Sequence, residues 1–147
     1  IILLMFDSKY AIISIVDNSE RYYMDVIIYE NENGKSELLD FLKDLESKSK
    51  KDKNARIQYK QIVYYIELLK NNFGKLPTNI AKHIDDGIWE LRPGNNRIFY
   101  FTHLEKEIVL LHLFRKKSQK TPTLEIDKAK RERADYVKRS EKNDQVE

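Results

Sequence analysis

The chain has 147 residues, enough for one domain with a buried core and too few for two comfortable ones. Its formal net charge is only +3, but the excess is local: Arg115 to Lys142 holds 11 Lys or Arg against 5 Asp or Glu. That distribution suits a polyanion or an acidic protein, and it also occurs on solvated helical faces. Without cysteine the chain has no disulfides, thiolate nucleophiles or cysteine-based zinc sites, which fits the cytosol.

The leading IILLMF is apolar, but Asp7 and Lys9 interrupt it well short of a membrane span, and no cationic leader precedes it. A soluble cytoplasmic protein with no membrane partner is expected. The chain opens on Ile, and a second candidate start, Met24, sits just before a clean strand, Asp25 to Glu30. Residues 1–23 are therefore set apart as an N-terminal extension of uncertain status, within which AIISIV can supply an extra edge strand. The domain proper is expected over residues 24–138, with a polar tail at 139–147.

Asn31-Glu32-Asn33-Gly34 predicts a turn, and Ser36 an N-cap for a helix whose Leu38, Phe41, Leu42 and Leu45 share one stripe. The solvated SKSKKDKN leads into a longer helix with Tyr59, Ile62, Ile66 and Leu69 at helical spacing. It ends near Asn71, with Gly74 available as a left-handed cap. The two helices form a hairpin. After Pro77, IAKHIDDG is expected to be a short connector.

Three antiparallel strands follow. From Ile88 to Arg92, Trp89 and Leu91 alternate with Glu90 and Arg92, so a register that buries Trp89 turns Arg92 to the other side. Pro93-Gly94-Asn95-Asn96 reverses the chain. The second strand puts Ile98 and Tyr100 on the core side and Arg97 beside Arg92. The third, Ile108 to Phe114, is nearly all apolar and runs into Arg115, Lys116, Lys117 and Lys120. Pro122 opens a final helix, TLEIDKAKRERADYVKR, with few apolar positions. The predicted fold is α+β: a small antiparallel sheet of about four strands with an N-terminal helical hairpin and a C-terminal helix, the helices on one face.

His83, His103 and His112 have none of the short metal-ligand spacings, so neither a metal nor another cofactor is expected. No glycine-rich loop follows a strand, and no GxSxG-like elbow supports a serine nucleophile. His112, inside an apolar strand, is expected to be a hydrogen-bonded structural histidine rather than a general base. Phe99 and Phe101 share the Arg97 face, where they either stack on a base or pack under the final helix. The basic constellation has two readings. Arg92 and Arg97, joined by the cations after the third strand, surround a space for a phosphate, and such cations stabilise the charge of a phosphorane-like state. Alternatively these are ordinary rim charges, with Arg92 and Glu90 an exposed ion pair of little worth.

WELR at 89–92, RIFYF at 97–101, VLLHLF at 109–114 and KKSQKTP at 116–122, followed by EI and a basic helix, occur in that order. This succession resembles the RelE/HigB-like toxins of bacterial type II toxin-antitoxin systems, in particular the phage-derived Gp49-like HigB branch, over about residues 24 to 138. The resemblance implies a metal-independent endoribonuclease that cuts mRNA in the ribosomal A site and so inhibits translation. It implies Arg92, Arg97 and Lys116 as catalytic residues and Lys82, Arg115, Lys117 and Lys120 as RNA-binding ones. No tyrosine closely follows the cationic cluster, which leaves the proton-transfer groups unassigned. The implied partners are a helix-turn-helix, HigA-like antitoxin, mRNA and the ribosome, with operator DNA reached only through the antitoxin. Two competing readings are a toxin of the same fold that inhibits a protein such as DNA gyrase, and a non-catalytic binding module.

Overall fold

The computed structural model describes residues 4–7, 12–15 and 24–146. In chain order the elements are β1 (Leu4–Asp7), β2 (Ile12–Ile15), β3 (Asp25–Ile28), α1 (Glu37–Ser49), α2 (Lys53–Asn71), β4 (Ala81–Asp85), β5 (Ile88–Leu91), β6 (Asn96–His103), β7 (Glu107–Arg115) and α3 (Thr123–Val146). The strands form one sheet in the order β1-β2-β3-β7-β6-β5-β4, with the β3–β7 pair parallel and every other pair antiparallel. The fold is thus α+β. Its central five strands, β3 to β7, carry a helical pair and a C-terminal helix. The segment AIISIV supplies β2, which pairs with β3 through Ile12 and Ile27; the rest of residues 1–23, apart from β1 and β2, lies outside the described residues.

Local chemistry sets the helix boundaries. Ser36 Oγ accepts from Leu39 N at 3.1 Å, and Asp52 Oδ1 accepts from Asn54 N and Ala55 N at 2.8 and 3.2 Å, each satisfying amides that the first turn leaves unpaired. At the end of α2, Gly74 takes φ +77° and its N–H returns to Leu69 O at 2.8 Å. A Cβ there would be strained at this dihedral and would also press the Thr102 methyl at 3.2 Å, which would have to give way.

The connector expected after Pro77 is instead a strand. Residues 81–85 pair antiparallel with β5, and Asp86 and Gly87, at φ 47° and 75°, make the two-residue turn between them. Asp-Gly is a strong hairpin signal because both residues tolerate positive φ. The strand was hard to read because Lys82 and His83 are both exposed, which blurs the alternation.

The helices also do not share a face. Leu38, Leu42, Ile62, Ile66 and Leu69 from α1 and α2 pack with Val26, Leu91, Ile98, Tyr100, Ile108 and Leu110 on one side of the sheet. On the other side Ile88, Phe99, Phe101, Val109 and Leu111 pack under α3, against Ile126, Ala129, Tyr136 and Val137. Phe99 and Phe101 are therefore core residues beneath the last helix. α3 continues through Val146, beyond the stretch its apolar residues cover.

Polar contacts complete the docking of this helix, which explains its few apolar positions. Tyr29 Oη donates to Asp135 Oδ2 at 2.7 Å, Tyr136 Oη donates to Glu107 Oε1 at 2.9 Å, and Arg139 reaches the Glu30 carbonyl while pairing with Asp135 at 2.7 Å. His112 is buried and bonded through Nε2 to Glu125 at 2.7 Å and through Nδ1 to Glu132, a structural role that leaves neither ring nitrogen open. Among the described residues no helix is long and apolar enough to cross a membrane.

The Arg139 hydrogen bond, helped by the Tyr29 hydroxyl and opposed by burial, holds the Asp135 carboxyl below its ordinary value of 3.8. A folded-state pKa below the unfolded one stabilises the protein above the ordinary value, and that stability is lost as pH falls through the depressed one. Asp135→Asn is therefore expected to flatten the drop in melting temperature between about pH 5 and about pH 2. Equal acid sensitivity in both proteins would contradict this.

Candidate functional site

The β5–β6 register pairs Glu90 with Phe99 and Leu91 with Ile98, so Arg92 and Arg97 follow at the mouth of the hairpin on the α3 face. On the other side of β6, Arg97 pairs with Phe114 of β7. The chain leaves β7 through residues 116–122, tied back by Lys116 N donating to Asn95 O at 2.8 Å. These elements enclose a narrow cleft lined by Glu90, Arg92, Arg97 and Phe114 on the sheet and by Lys116 to Pro122 on the loop. Its enclosed space is about 10 Å³, room for one water-sized group.

Glu90 organises the cleft. It is 1% exposed, and its Oε1 accepts from Arg92 Nε at 3.1 Å and lies 3.6 Å from Arg97 Nε. Its Oε2 accepts from Thr121 Oγ1 at 2.9 Å, which anchors the far end of the cationic loop. The Glu90–Arg92 contact is thus not the exposed ion pair of the alternative sequence reading: the carboxylate is out of water, where charge-assisted bonds are strong and a missing partner is costly.

Arg97 is held more tightly than Arg92. It is 8% exposed, and its Nη1 donates to the carbonyls of Gly94 at 2.7 Å and Asn96 at 2.8 Å. Burial lowers its pKa from the ordinary guanidinium value; Glu90 opposes the shift and Arg92 adds to it. Arginine stays cationic in proteins, so the consequence is a rigid, under-solvated positive charge that gains from a nearby anion. Among the described residues no hydrogen bond engages its Nη2.

Of the residues singled out in the sequence, Arg92, Arg97, Lys116, Lys117 and Lys120 all line this cleft. Lys116 is half-buried, whereas Lys117 and Lys120 are exposed. Lys82 sits on β4 opposite Glu90 in the register, on the same sheet face but outside the lining. Arg115 is separated from the others: it lines a second cavity on the α2 side, because successive strand residues point to opposite faces. Glu90 and Thr121 were missed as members of the site. Glu90 had a signal, an acid two positions before Arg92 on the same face, whereas Thr121 had none. Among the described residues no group of three or more His, Asp or Glu is arranged to hold a metal ion.

The resulting surface presents five cations against one buried carboxylate at the end of a sheet. The family model for "Phage derived protein Gp49-like (DUF891)" matches residues 40–134, well over half of the chain and all of the cleft. The chain belongs to this family. Gp49-like proteins are a RelE/HigB-like toxin family, and membership points to the toxin of a toxin-antitoxin pair, with an antitoxin as its partner. No curated protein matches the chain significantly.

For this Gp49-like chain, Glu90→Ala removes the shared anion and leaves Arg97 buried without a carboxylate. It is expected to lower unfolding free energy by about 3–5 kcal/mol in urea denaturation, the range for breaking a buried pair. Arg92→Ala is expected to cost less, since its side chain is 24% exposed. Equal losses would contradict a Glu90-centred site.

Proposed function

We propose that the chain is the toxin of a type II toxin-antitoxin system and acts as an endoribonuclease on mRNA in the ribosomal A site, inhibiting translation. The observation that carries this reading is the gathering of Arg92, Arg97, Lys116, Lys117 and Lys120 into one cleft around the buried Glu90. The cleft admits one small oxygen-sized group, which suits a single non-bridging phosphoryl oxygen with the rest of the phosphate at the mouth.

In this reading the RNA supplies the nucleophile. The 2′-oxygen bonds to phosphorus as the bond to O5′ breaks; the 2′-hydroxyl loses a proton and O5′ gains one. Negative charge builds on the phosphoryl oxygens, where Arg97, fixed by Glu90 and two carbonyls, is already positioned and needs little reorganisation. Arg92 adds a second guanidinium at the rim, and the lysines supply point charges on a more exposed loop. Neither histidine nor tyrosine lines the cleft among the described residues. Lys116, the half-buried amine of the lining, is the first group to test for proton transfer. Lys82, Lys117 and Lys120 hold the flanking backbone, and Arg115 meets the RNA from the other side of the hairpin turn. Translation ceases while a helix-turn-helix, HigA-like antitoxin is absent and resumes when it binds; operator DNA is reached through that partner.

Primer extension on mRNA in a translation extract, with and without ribosomes, tests the reading. Ribosome-dependent cuts are expected from the native chain, and Arg97→Ala is expected to slow them about 100-fold or more, the usual cost of one preorganised charge-stabilising donor. Growth arrest without cuts, or undiminished cutting by Arg92→Ala/Arg97→Ala, would redirect the reading to a protein target.

A further inference from the structure

The second cavity, about 340 Å³, lies on the opposite side of the same hairpin turn. Its walls are Asn54, Ile57, Gln58 and Gln61 of α2, Gly94 to Asn96 of the turn, and Arg115. Five of these eight residues carry carboxamides, and a sixth carries a guanidinium.

The amides are not consumed by one another. Asn96 Nδ2 donates to Gln58 Oε1 at 3.2 Å, which orients both groups. The remaining atoms, Asn96 Oδ1 as acceptor and Gln58 Nε2 as donor, have no hydrogen bond among the described residues, nor do the side chains of Asn54, Gln61 and Asn95. No fully buried side-chain polar atom there lacks a partner, so these unpaired atoms face space open to solvent. Arg115 likewise has no ion pair among the described residues. Ile57, exposed, is the one apolar side chain among the described lining residues.

The turn couples this cavity to the cationic cleft. The Gly94 carbonyl holds Arg97 on the cleft side, while its Cα lies so close to α2 that an added Cβ would sit 2.7 Å from Gln61 Oε1. Arg115 and Lys116, adjacent in the chain, enter the cavity and the cleft respectively. A strand whose phosphate is held in the cleft thus needs to cross only this turn to bring a neighbouring base to the amides. Carboxamides pair with the donor-acceptor edge of adenine, and arginine donates to the two acceptors of guanine, N7 and O6, so the chemistry is that of base reading.

We propose that this cavity is a nucleobase subsite, in which Gln58, Gln61, Asn96 and Arg115 select the base beside the cleaved phosphate. The proposal rests on the RNA reading of the cleft. It differs from that reading in assigning specificity to the α2 side of the hairpin turn, outside the cationic cleft.

The test uses the full chain and 2′-O-methyl RNA tetranucleotides that cannot be cut, differing at a single base, with binding followed by fluorescence anisotropy. The native chain is expected to favour one base by about tenfold at one position, the scale of one good base contact. Gln58→Ala/Gln61→Ala is expected to flatten that preference. Gln61→Ala alone leaves the Asn96–Gln58 bond in place and is expected to reduce it too, which separates base reading from a folding defect. Arg92→Ala/Arg97→Ala is expected to weaken binding to all four sequences together while keeping their ranking. A native chain that ranks the bases equally, or a Gln58→Ala/Gln61→Ala variant that keeps the ranking, overturns the subsite. Binding with base preference but no cutting in the translation extract would overturn only the nuclease reading. Failure of the native chain to bind any of the RNAs would overturn the subsite, whereas the nuclease reading would fall only if the translation extract also showed no cuts.

Discussion

A carboxylate removed from water is costly unless cations and donors replace its hydration, and Glu90 meets that condition with three partners from three parts of the chain. Arg92 lies just past the end of β5, Arg97 is the second residue of the neighbouring strand β6, and Thr121 lies at the far end of the loop after β7. One buried anion therefore sets the spacing of two guanidinium groups and holds the basic loop over them.

The arrangement yields two kinds of positive charge. Arg97 is immobilised by Glu90 and by the Gly94 and Asn96 carbonyls, and is buried. Lys117 and Lys120 remain exposed on the loop. A fixed charge suits a transition state of defined geometry, because it needs no reorganisation as charge develops. Exposed lysines suit a polyanion whose backbone must first be captured, through contacts that weaken with salt.

The sheet separates these tasks from stability. Its α1–α2 face is a continuous apolar core, whereas its other face is apolar only beneath α3 and charged where the helix begins. α3 is held by hydrogen bonds and ion pairs to Tyr29, Glu30, Glu107 and His112 as much as by apolar contact. The hairpin turn at Pro93–Asn96 lies at the edge of both faces, which is why the cleft and the amide-lined cavity flank the same few residues.

Period-2 alternation was enough to assign Trp89 and Leu91, Ile98 and Tyr100, to one side and Arg92 and Arg97 to the other, because that assignment depends only on the strand's own geometry. The Ser36 and Gly74 caps were legible for the same reason: their hydrogen bonds close within five residues. The Asp86-Gly87 turn was equally local, and its signal for β4 lay in the chain although the exposed Lys82 and His83 obscured the strand. The face taken by α3, the burial of Glu90 and the parting of Arg115 from Lys116 were of another kind. Tyr29 and Asp135 stand 106 positions apart, and Thr121 meets Glu90 across 31. Polar docking of this sort has no periodic signature, since a hydrogen bond or ion pair depends on where two distant groups meet and not on the pattern of either segment. The sequence by itself determined the strands, the caps and the sidedness of the arginines. Only the tertiary structure decided which cations share a cleft, because that required the loop of residues 116–122 to fold back and bond, through Thr121, to a carboxylate buried on the sheet.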